Sequence, residues 1–87
     1  MYSAIYDEEW PDYFDKLSNE MKEKTTKKIQ KILEYPQKRH LQKGAKFFVG
    51  EIGQNRLIYR IFEQDKTVKF YFVGNHKEYE NWYKKFF

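Results

Sequence analysis

The stretch that most constrains the fold is the run of residues 47–73, FFVGEIGQNRLIYRIFEQDKTVKFYFV. It divides into three segments rich in Val, Ile, Phe and Tyr. Residues typical of turns separate these segments, with Gly-Gln at 53–54 and Glu-Gln-Asp-Lys at 63–66. Segments of this composition favour β-strands, and the two short loops between them predict an antiparallel meander of three strands.

The alternation of side chains along each strand predicts which residues share a face of this sheet. If Phe62 pairs with Thr67 across the second loop, the apolar residues of the two strands fall on the same face, the core face, because successive side chains point to opposite faces. Glu51 then lies across the first hairpin from Arg56, on the opposite face. The core face is predicted to carry Leu57, Tyr59, Ile61, Val68, Phe70 and Phe72, and the opposite face Arg56, Ile58, Arg60, Lys69, Tyr71 and Val73.

The residues before the meander predict one more strand and two helices. Residues 2–6 alternate weakly and suit a short strand added to the sheet. Acidic residues followed by Pro11 are typical of a helix start, because acids complement the positive end of the helix dipole. Ser18 or Asn19 can cap a second helix, which Pro36 ends.

The fold class follows from this order of elements. Gly-Asn at 74–75 ends the third strand, and residues 76–87 predict a short C-terminal helix. The sequence therefore predicts an α+β fold in which an N-terminal helical hairpin packs on an antiparallel three- to four-stranded twisted sheet. A chain of 87 residues buries only roughly two thirds of the surface that its unfolded form exposes, so one domain, 1–87, is expected.

The net charge of +4 is unevenly distributed along the chain. Residues 1–15 contain five acids and no Lys or Arg, whereas residues 16–46 contain ten bases and three acids. A field biased in this way attracts phosphate polymers and raises the rate of encounter with them. A lysine-rich helix face is also a common solubilising surface, so charge alone does not identify a ligand.

Several classes of protein are disfavoured by what the sequence lacks. It contains no cysteine and two histidines, too few ligands for a zinc site, and it has no P-loop or Rossmann glycine pattern. We therefore expect no metal and no cofactor. The first ten residues do not resemble a signal peptide. The sequence also lacks a run of about eighteen apolar residues, which a helix would need to span a bilayer, so a soluble, cytoplasmic protein is expected.

The polar residues of the opposite sheet face and its flanking segments suit phosphate. Arginine offers a planar fork of donors, lysine offers a compact charge, and aromatic rings stack on unpaired bases. In RNA, the neighbouring 2′-hydroxyl attacks phosphorus without a metal when one group takes its proton and cations stabilise the developing charge. His76 is the candidate for proton transfer, because its ordinary pKa lies nearest neutrality. The full set is Arg56, Arg60, Lys69, Lys43, Lys46, His76, Lys77, Tyr79 and Tyr83.

The same residues have structural interpretations that the sequence leaves open. Arg56 can pair with Glu51 across the hairpin, and Arg60 and Lys69 can be solvated charges on an exposed face. His76 can be a helix cap or a surface residue. The tyrosines that follow it at helical spacing can be packing residues.

The order of elements and motifs resembles the RelE/ParE toxin superfamily of bacterial and archaeal toxin-antitoxin systems, over essentially the whole chain. The most specific piece is GQNRLIYR at 53–60, which is similar to the family's Gly-x-Tyr-Arg-x-x-Tyr pattern. It places Arg56 on the arginine that RelE-like enzymes use at the scissile phosphate. A second piece, VGNHKEY at 73–79, is similar to the ending of the HigB-like branch.

The resemblance implies a ribosome-dependent mRNA endoribonuclease that cuts in the A site by metal-free 2′-hydroxyl attack and so inhibits translation. It implies as partners a cognate antitoxin and mRNA on the ribosome, with contacts to 16S ribosomal RNA. In that scheme Arg56 would stabilise the transition state, and His76 or Lys77 would contact the phosphate or move a proton. Tyr79 or Tyr83 would supply the C-terminal aromatic ring.

The chain also departs from the family's pattern. Active RelE-like enzymes usually carry Lys or Arg on the strand before the conserved arginine, where this chain has Val49 and Glu51. Glu51 can act as a base, as carboxylates do in other ribonucleases, or can neutralise Arg56 in a weakened toxin. Two other functions stay open, a ParE-like poison of DNA gyrase and an inactive module that binds RNA or a partner. The residues that can replace the missing positive charge are Lys46, Arg60 and Lys69.

Overall fold

A computed structural model describes residues 1–35 and 47–86 of the chain, except the side chain of Phe86. The predicted candidates Lys43 and Lys46, together with Pro36, lie outside these described residues. Within them, no helix is long and apolar enough to cross a membrane. The elements are β1 (Ser3–Tyr6), α1 (Trp10–Phe14), α2 (Asn19–Glu34), β2 (Phe48–Ile52), β3 (Asn55–Phe62), β4 (Thr67–Gly74) and α3 (His76–Phe86).

The sheet is mixed, with the strand order β1-β4-β3-β2. Strands β2, β3 and β4 form the predicted antiparallel meander, and the predicted α+β class and C-terminal helix are confirmed. The predicted purely antiparallel sheet is wrong, because β1 pairs with β4 in the parallel direction. The alternation of side chains in a four-residue strand does not reveal the strand's direction. A parallel pair needs a long connection between its strands, and the helices that follow β1 begin that connection.

The two hairpins have the register expected from the turn residues. Glu51 lies opposite Arg56 across the first hairpin, and Phe62 lies opposite Thr67 across the second. In the first turn Gly53 has a φ of +60°, a conformation that residues with a Cβ rarely adopt. The two-residue turn therefore fixes how β2 and β3 align, since loop length and turn type set hairpin register.

A β-bulge in β4 changes which side chains share a face. Ile58 lies opposite Phe72, but the next residue of β3, Tyr59, lies opposite Phe70, so Tyr71 is the extra residue. Phe72 consequently leaves the main core for a second cluster, with Tyr71 packed against it. The Tyr13 ring of α1 lies 4.9 Å from the Phe72 ring, between centroids. Val73 joins the main core. The predicted positions of Phe72 and Val73 were therefore wrong, because an inserted residue inverts the alternation beyond it.

The N-terminal helices do not form the predicted helical hairpin. Helix α1 is a single turn that lies against β4, with Trp10 buried, whereas α2 packs Ile29 and Ile32 into the main core. The Ser18 hydroxyl accepts a hydrogen bond from the N–H of Met21 at 3.1 Å, which confirms it as the cap of α2. A cap so soon after Pro11 leaves α1 too short to pair along α2.

Both faces of the sheet are buried by helices. The main core lies under α1 and α2, and a second cluster lies under α3, where Ile58 and Phe72 pack against Trp82. The Trp82 ring lies 5.3 Å from that of Phe47 and 6.0 Å from that of Phe72, between ring centroids. Aromatic pairs at such separations contribute beyond the area they bury. The face predicted to be an open cationic floor is therefore covered in its middle by α3.

The bulge can be tested with Trp82 as the sole fluorophore, in a Trp10→Phe background. We expect Phe72→Ala to lower the free energy of unfolding by about 3–5 kcal/mol and to shift Trp82 emission to the red, because it removes a contacting ring. Val73→Ala should also destabilise the fold but leave the emission wavelength unchanged. A red shift with Val73→Ala and none with Phe72→Ala would contradict the bulged register.

Candidate functional site

Arg56 lies near the start of β3, between Glu51 on β2 and Gly74 on β4. Its side chain is half-buried, and its Nη1 atom donates a hydrogen bond to the carbonyl oxygen of Asn55 at 3.5 Å. Glu51 is exposed, and no ion pair joins its carboxylate to Arg56. The structural pairing that the sequence left open is thus absent, and the guanidinium keeps its charge for another group.

The end of β4 requires a glycine where it faces Arg56. A Cβ atom on Gly74 would lie 2.7 Å from Cζ of Phe72 and 2.9 Å from Oε1 of Glu78, closer than real Cβ contacts. The chain turns directly from this point into α3. Gly74 therefore allows the first turn of α3 to approach the strand that lies beside Arg56.

A capping box fixes the start of α3. The Asn75 side chain accepts a hydrogen bond from the N–H of Glu78 at 2.8 Å, and the Glu78 carboxylate accepts one from the N–H of Asn75 at 3.0 Å. The reciprocal pair satisfies two N–H groups that a helix start would leave unpaired. Asn75 is thus the cap, so His76 is not required for that purpose.

His76 is the first residue of α3, and its side chain is 66% exposed. Its Nε2 atom lies 2.9 Å from Oε1 of Glu80, one turn further along the helix. A carboxylate at this distance orients the imidazole ring. The ring remains open to solvent and can exchange protons with an incoming group.

Tyr79, on α3, is close enough to Arg56 to be influenced by its charge. Burial raises the pKa of Tyr79 above its ordinary value and the neighbouring Tyr83 raises it further, while the positive charge of Arg56 opposes both. A raised pKa leaves the phenol protonated at neutral pH, as a hydrogen-bond donor rather than a base. The Tyr79 ring centroid lies 6.3 Å from that of His76 and 6.0 Å from that of Tyr83.

The structure therefore brings together four of the predicted residues, on β3 and on one side of α3. They are Arg56, His76, Tyr79 and Tyr83. Lys77 is exposed on the same turn of α3 as His76. This group combines a cation, a titratable imidazole and a neutral phenol, which are the group types that phosphoryl transfer from RNA uses.

Arg60 and Lys69 do not belong to this group. They lie opposite each other on β3 and β4, and Arg60 is four residues along β3 from Arg56, a separation of about 13 Å. Ile58, under Trp82, occupies the same face between the two arginines. The predicted single cationic floor was therefore wrong, because the buried face of α3 divides it into two.

Sequence reasoning missed three residues that shape these two regions. Asn75 and Glu78 have the spacing of a capping box, a signal that the sequence carries. Asp7 has no such signal. Its carboxylate lies 3.7 Å from Nζ of Lys69 only because β1 pairs with β4, and the two residues are remote in sequence.

A groove of about 660 Å³ separates α2 from the outer edge of β2. Lys28 and Lys31 line it from the helix, and Val49 and Glu51 line it from the strand. The Glu51 carboxylate thus stands at the border between this groove and the Arg56 region. The groove contains none of the residues grouped around Tyr79.

No protein-family model matches the sequence, and no curated protein matches it. Solved structures do match the fold. The isolated Escherichia coli RelE toxin superposes with a TM-score of 0.76 at 21% identity, and the match covers 100% of both chains. A chain of the intact E. coli RelBE toxin-antitoxin complex gives 0.77 at 23% identity, over 86% of this chain and 96% of that one.

An archaeal protein has the same fold. A chain of the RelE-RelB complex from Pyrococcus horikoshii gives a TM-score of 0.66 at 18% identity, covering 85% of this chain and 93% of that chain. The resemblance inferred from the sequence motifs is confirmed at the level of the fold. This chain has the fold of RelE toxins.

The proximity of Arg56 to Tyr79 can be measured by titration. Because a nearby positive charge stabilises the phenolate, Arg56→Ala should raise the pKa of Tyr79 still further above its ordinary value. The Cζ signals of 13C-labelled tyrosines, followed by NMR through the alkaline range, report this pKa. Arg60→Ala removes the same charge at the other end of the face and serves as the control. Equal shifts in both variants would contradict the assigned pairing.

Proposed function

We propose that this chain is a ribosome-dependent mRNA endoribonuclease, the toxin of a toxin-antitoxin module. The observation that carries the proposal is Arg56, free of any ion pair within the described part of the chain and placed beside Tyr79 in a fold shared with RelE toxins. A toxin that cuts mRNA in the ribosomal A site inhibits translation. Its cellular site of action would be the cytoplasm.

The proposed reaction uses the nucleophile that RNA itself carries. The 2′-hydroxyl oxygen forms a bond to the adjacent phosphorus as the bond to the 5′-oxygen breaks, which leaves a 2′,3′-cyclic phosphate and a 5′-hydroxyl. No metal is needed. Arg56 stabilises the negative charge that builds on the phosphoryl oxygens, because a preorganised cation is most effective where charge develops. The neutral phenol of Tyr79 donates a hydrogen bond to the same phosphate.

Two residues are candidates for moving the protons. His76 is exposed at the first position of α3, so its imidazole can reach the leaving 5′-oxygen and give it a proton. Glu51 faces Arg56 across the hairpin with an exposed carboxylate, so it can take the proton of the 2′-hydroxyl. Lys77, at the same helix turn, and Tyr83, beside Tyr79, complete the contacts to RNA.

The proposed protein partner is a cognate antitoxin. RelE proteins similar to this chain form complexes with RelB antitoxins in E. coli and P. horikoshii. A small open reading frame beside the gene for this chain would encode the corresponding protein. mRNA on the ribosome, together with 16S ribosomal RNA, would be the nucleic-acid partner.

A second candidate function is a homologue weakened in catalysis that still binds RNA or its partner. One observation favours it. Val49, at a position where active relatives usually carry a base, packs under α3 opposite Ile58 and cannot contribute charge. Glu51, at the other such position, adds a negative charge beside Arg56. The two candidates differ in whether mRNA is cut.

Induced expression with primer extension on cellular transcripts separates these possibilities. We expect growth arrest with cuts at codon-defined positions for the unaltered chain. Arg56→Ala should abolish both and change the free energy of unfolding by no more than about 1 kcal/mol, because the half-buried side chain makes no ion pair with a described residue and its hydrogen bond to the Asn55 carbonyl is long, at 3.5 Å. Lys24→Ala, which removes an exposed charge on α2, is the matched control and should remain toxic.

Three results would count against the proposal. Well-folded protein that leaves growth and transcripts intact would favour the weakened homologue. DNA damage with intact mRNA would favour a ParE-like action on gyrase. Cutting that persists in Arg56→Ala would remove the arginine from the reaction.

A further inference from the structure

The cations at the far end of the α3-covered face, Arg60 and Lys69, occupy directly opposed positions on β3 and β4. Like charges in such positions repel each other and destabilise a sheet. Water, neighbouring side chains or a ligand can offset this repulsion. The surroundings of the two cations indicate which.

Aromatic rings hold Arg60 in place. Its guanidinium carbon lies 4.9 Å from the ring centroid of Phe62 and 5.8 Å from that of Phe47. A cation over the face of an aromatic ring is attracted to it, and the guanidinium carries a planar fork of N–H donors. Across the described residues Arg60 makes no ion pair. Two rings therefore attract the Arg60 guanidinium, and no carboxylate among the described residues neutralises it.

Lys69 is only partly neutralised. Its Nζ lies 5.1 Å from the Tyr71 ring centroid and 3.7 Å from Oδ1 of Asp7. The side chains of Lys69 and Asp7 are 34% and 30% exposed, and a pair this long and this accessible to water is weak. Asp7 thus neutralises Lys69 only in part, and the two cations together can still attract a further anion.

We infer that Arg60 and Lys69 form a phosphate clamp that binds the backbone of single-stranded RNA, apart from the Arg56 centre. The inference rests on the proposed function, since it assigns the clamp to the RNA strand that Arg56 acts on. A separation of about 13 Å exceeds the distance between adjacent phosphates of one strand, so the clamp takes a phosphate other than the scissile one. Asp7 competes with that phosphate for Lys69.

The test uses the intact protein and a fluorescein-labelled RNA whose every 2′-oxygen is methylated. This RNA lacks the attacking hydroxyl, so its binding is measured whether or not the chain cuts mRNA. Fluorescence anisotropy at several salt concentrations gives the affinity and its salt dependence. Each phosphate contact on a single strand contributes about 0.7 to the slope of log affinity against log salt.

We expect Arg60→Gln and Lys69→Ala each to weaken binding several-fold and to reduce that slope by about 0.7. Glutamine keeps much of the stem over the Phe rings, so this variant preserves packing. Asp7→Asn should tighten binding, because it removes the competing carboxylate, whereas a purely structural ion pair would give no gain. Lys24→Ala removes one positive charge, as the Arg60 and Lys69 variants do, and should leave the slope unchanged.

Some outcomes would overturn the clamp. The first is that the unaltered chain does not bind this RNA. The second is that the Arg60 and Lys69 variants keep the salt-dependence slope of the unaltered chain. The third is that Asp7→Asn binds the RNA more weakly. None of these results bears on whether Arg56 is needed for cutting.

Discussion

The extra residue in β4 is the feature on which the rest of the arrangement depends. Because the bulge at Tyr71 turns Phe72 away from the main core, the far face of the sheet presents an aromatic surface. Trp82 packs on that surface and holds α3 against the sheet. Tyr79, one turn before Trp82, is thereby brought beside Arg56. A regular strand would place Phe72 in the other layer and leave α3 without this contact.

The same helix separates two kinds of cation. At its N-terminal end, Gly74 and the Asn75–Glu78 capping box let α3 begin close to Arg56, with His76 exposed at the first position. Beyond Trp82 lie the opposed cations Arg60 and Lys69. A protein of 87 residues thus offers positive charge at two points of one face, and RNA, as a chain of phosphates, can use both.

The sequence predicted the parts of this fold that depend on local patterns. The meander, both hairpin registers, the Ser18 cap and the C-terminal helix depend on turn residues and alternation, which are local. The bulge could not be predicted, because the aromatic side chains of Phe70, Tyr71 and Phe72 suit either face of the sheet. The direction of β1 depends on its distant partner β4. In the candidate site, Arg56 and Tyr79 remain predictions from the sequence, whereas the division of the cations depends on where α3 packs.

The central claim, that this chain cuts mRNA through the 2′-hydroxyl, is tested most directly with purified protein and ribosomes programmed with a defined mRNA. The predicted result is a single cut in the A-site codon that leaves a 2′,3′-cyclic phosphate. The cut should also occur when a metal chelator is added under conditions that leave the ribosomes intact. Replacing the one ribose at the cut with 2′-deoxyribose should abolish it. Cutting that persists at the deoxyribose, or no cut on the unmodified mRNA, would contradict the account.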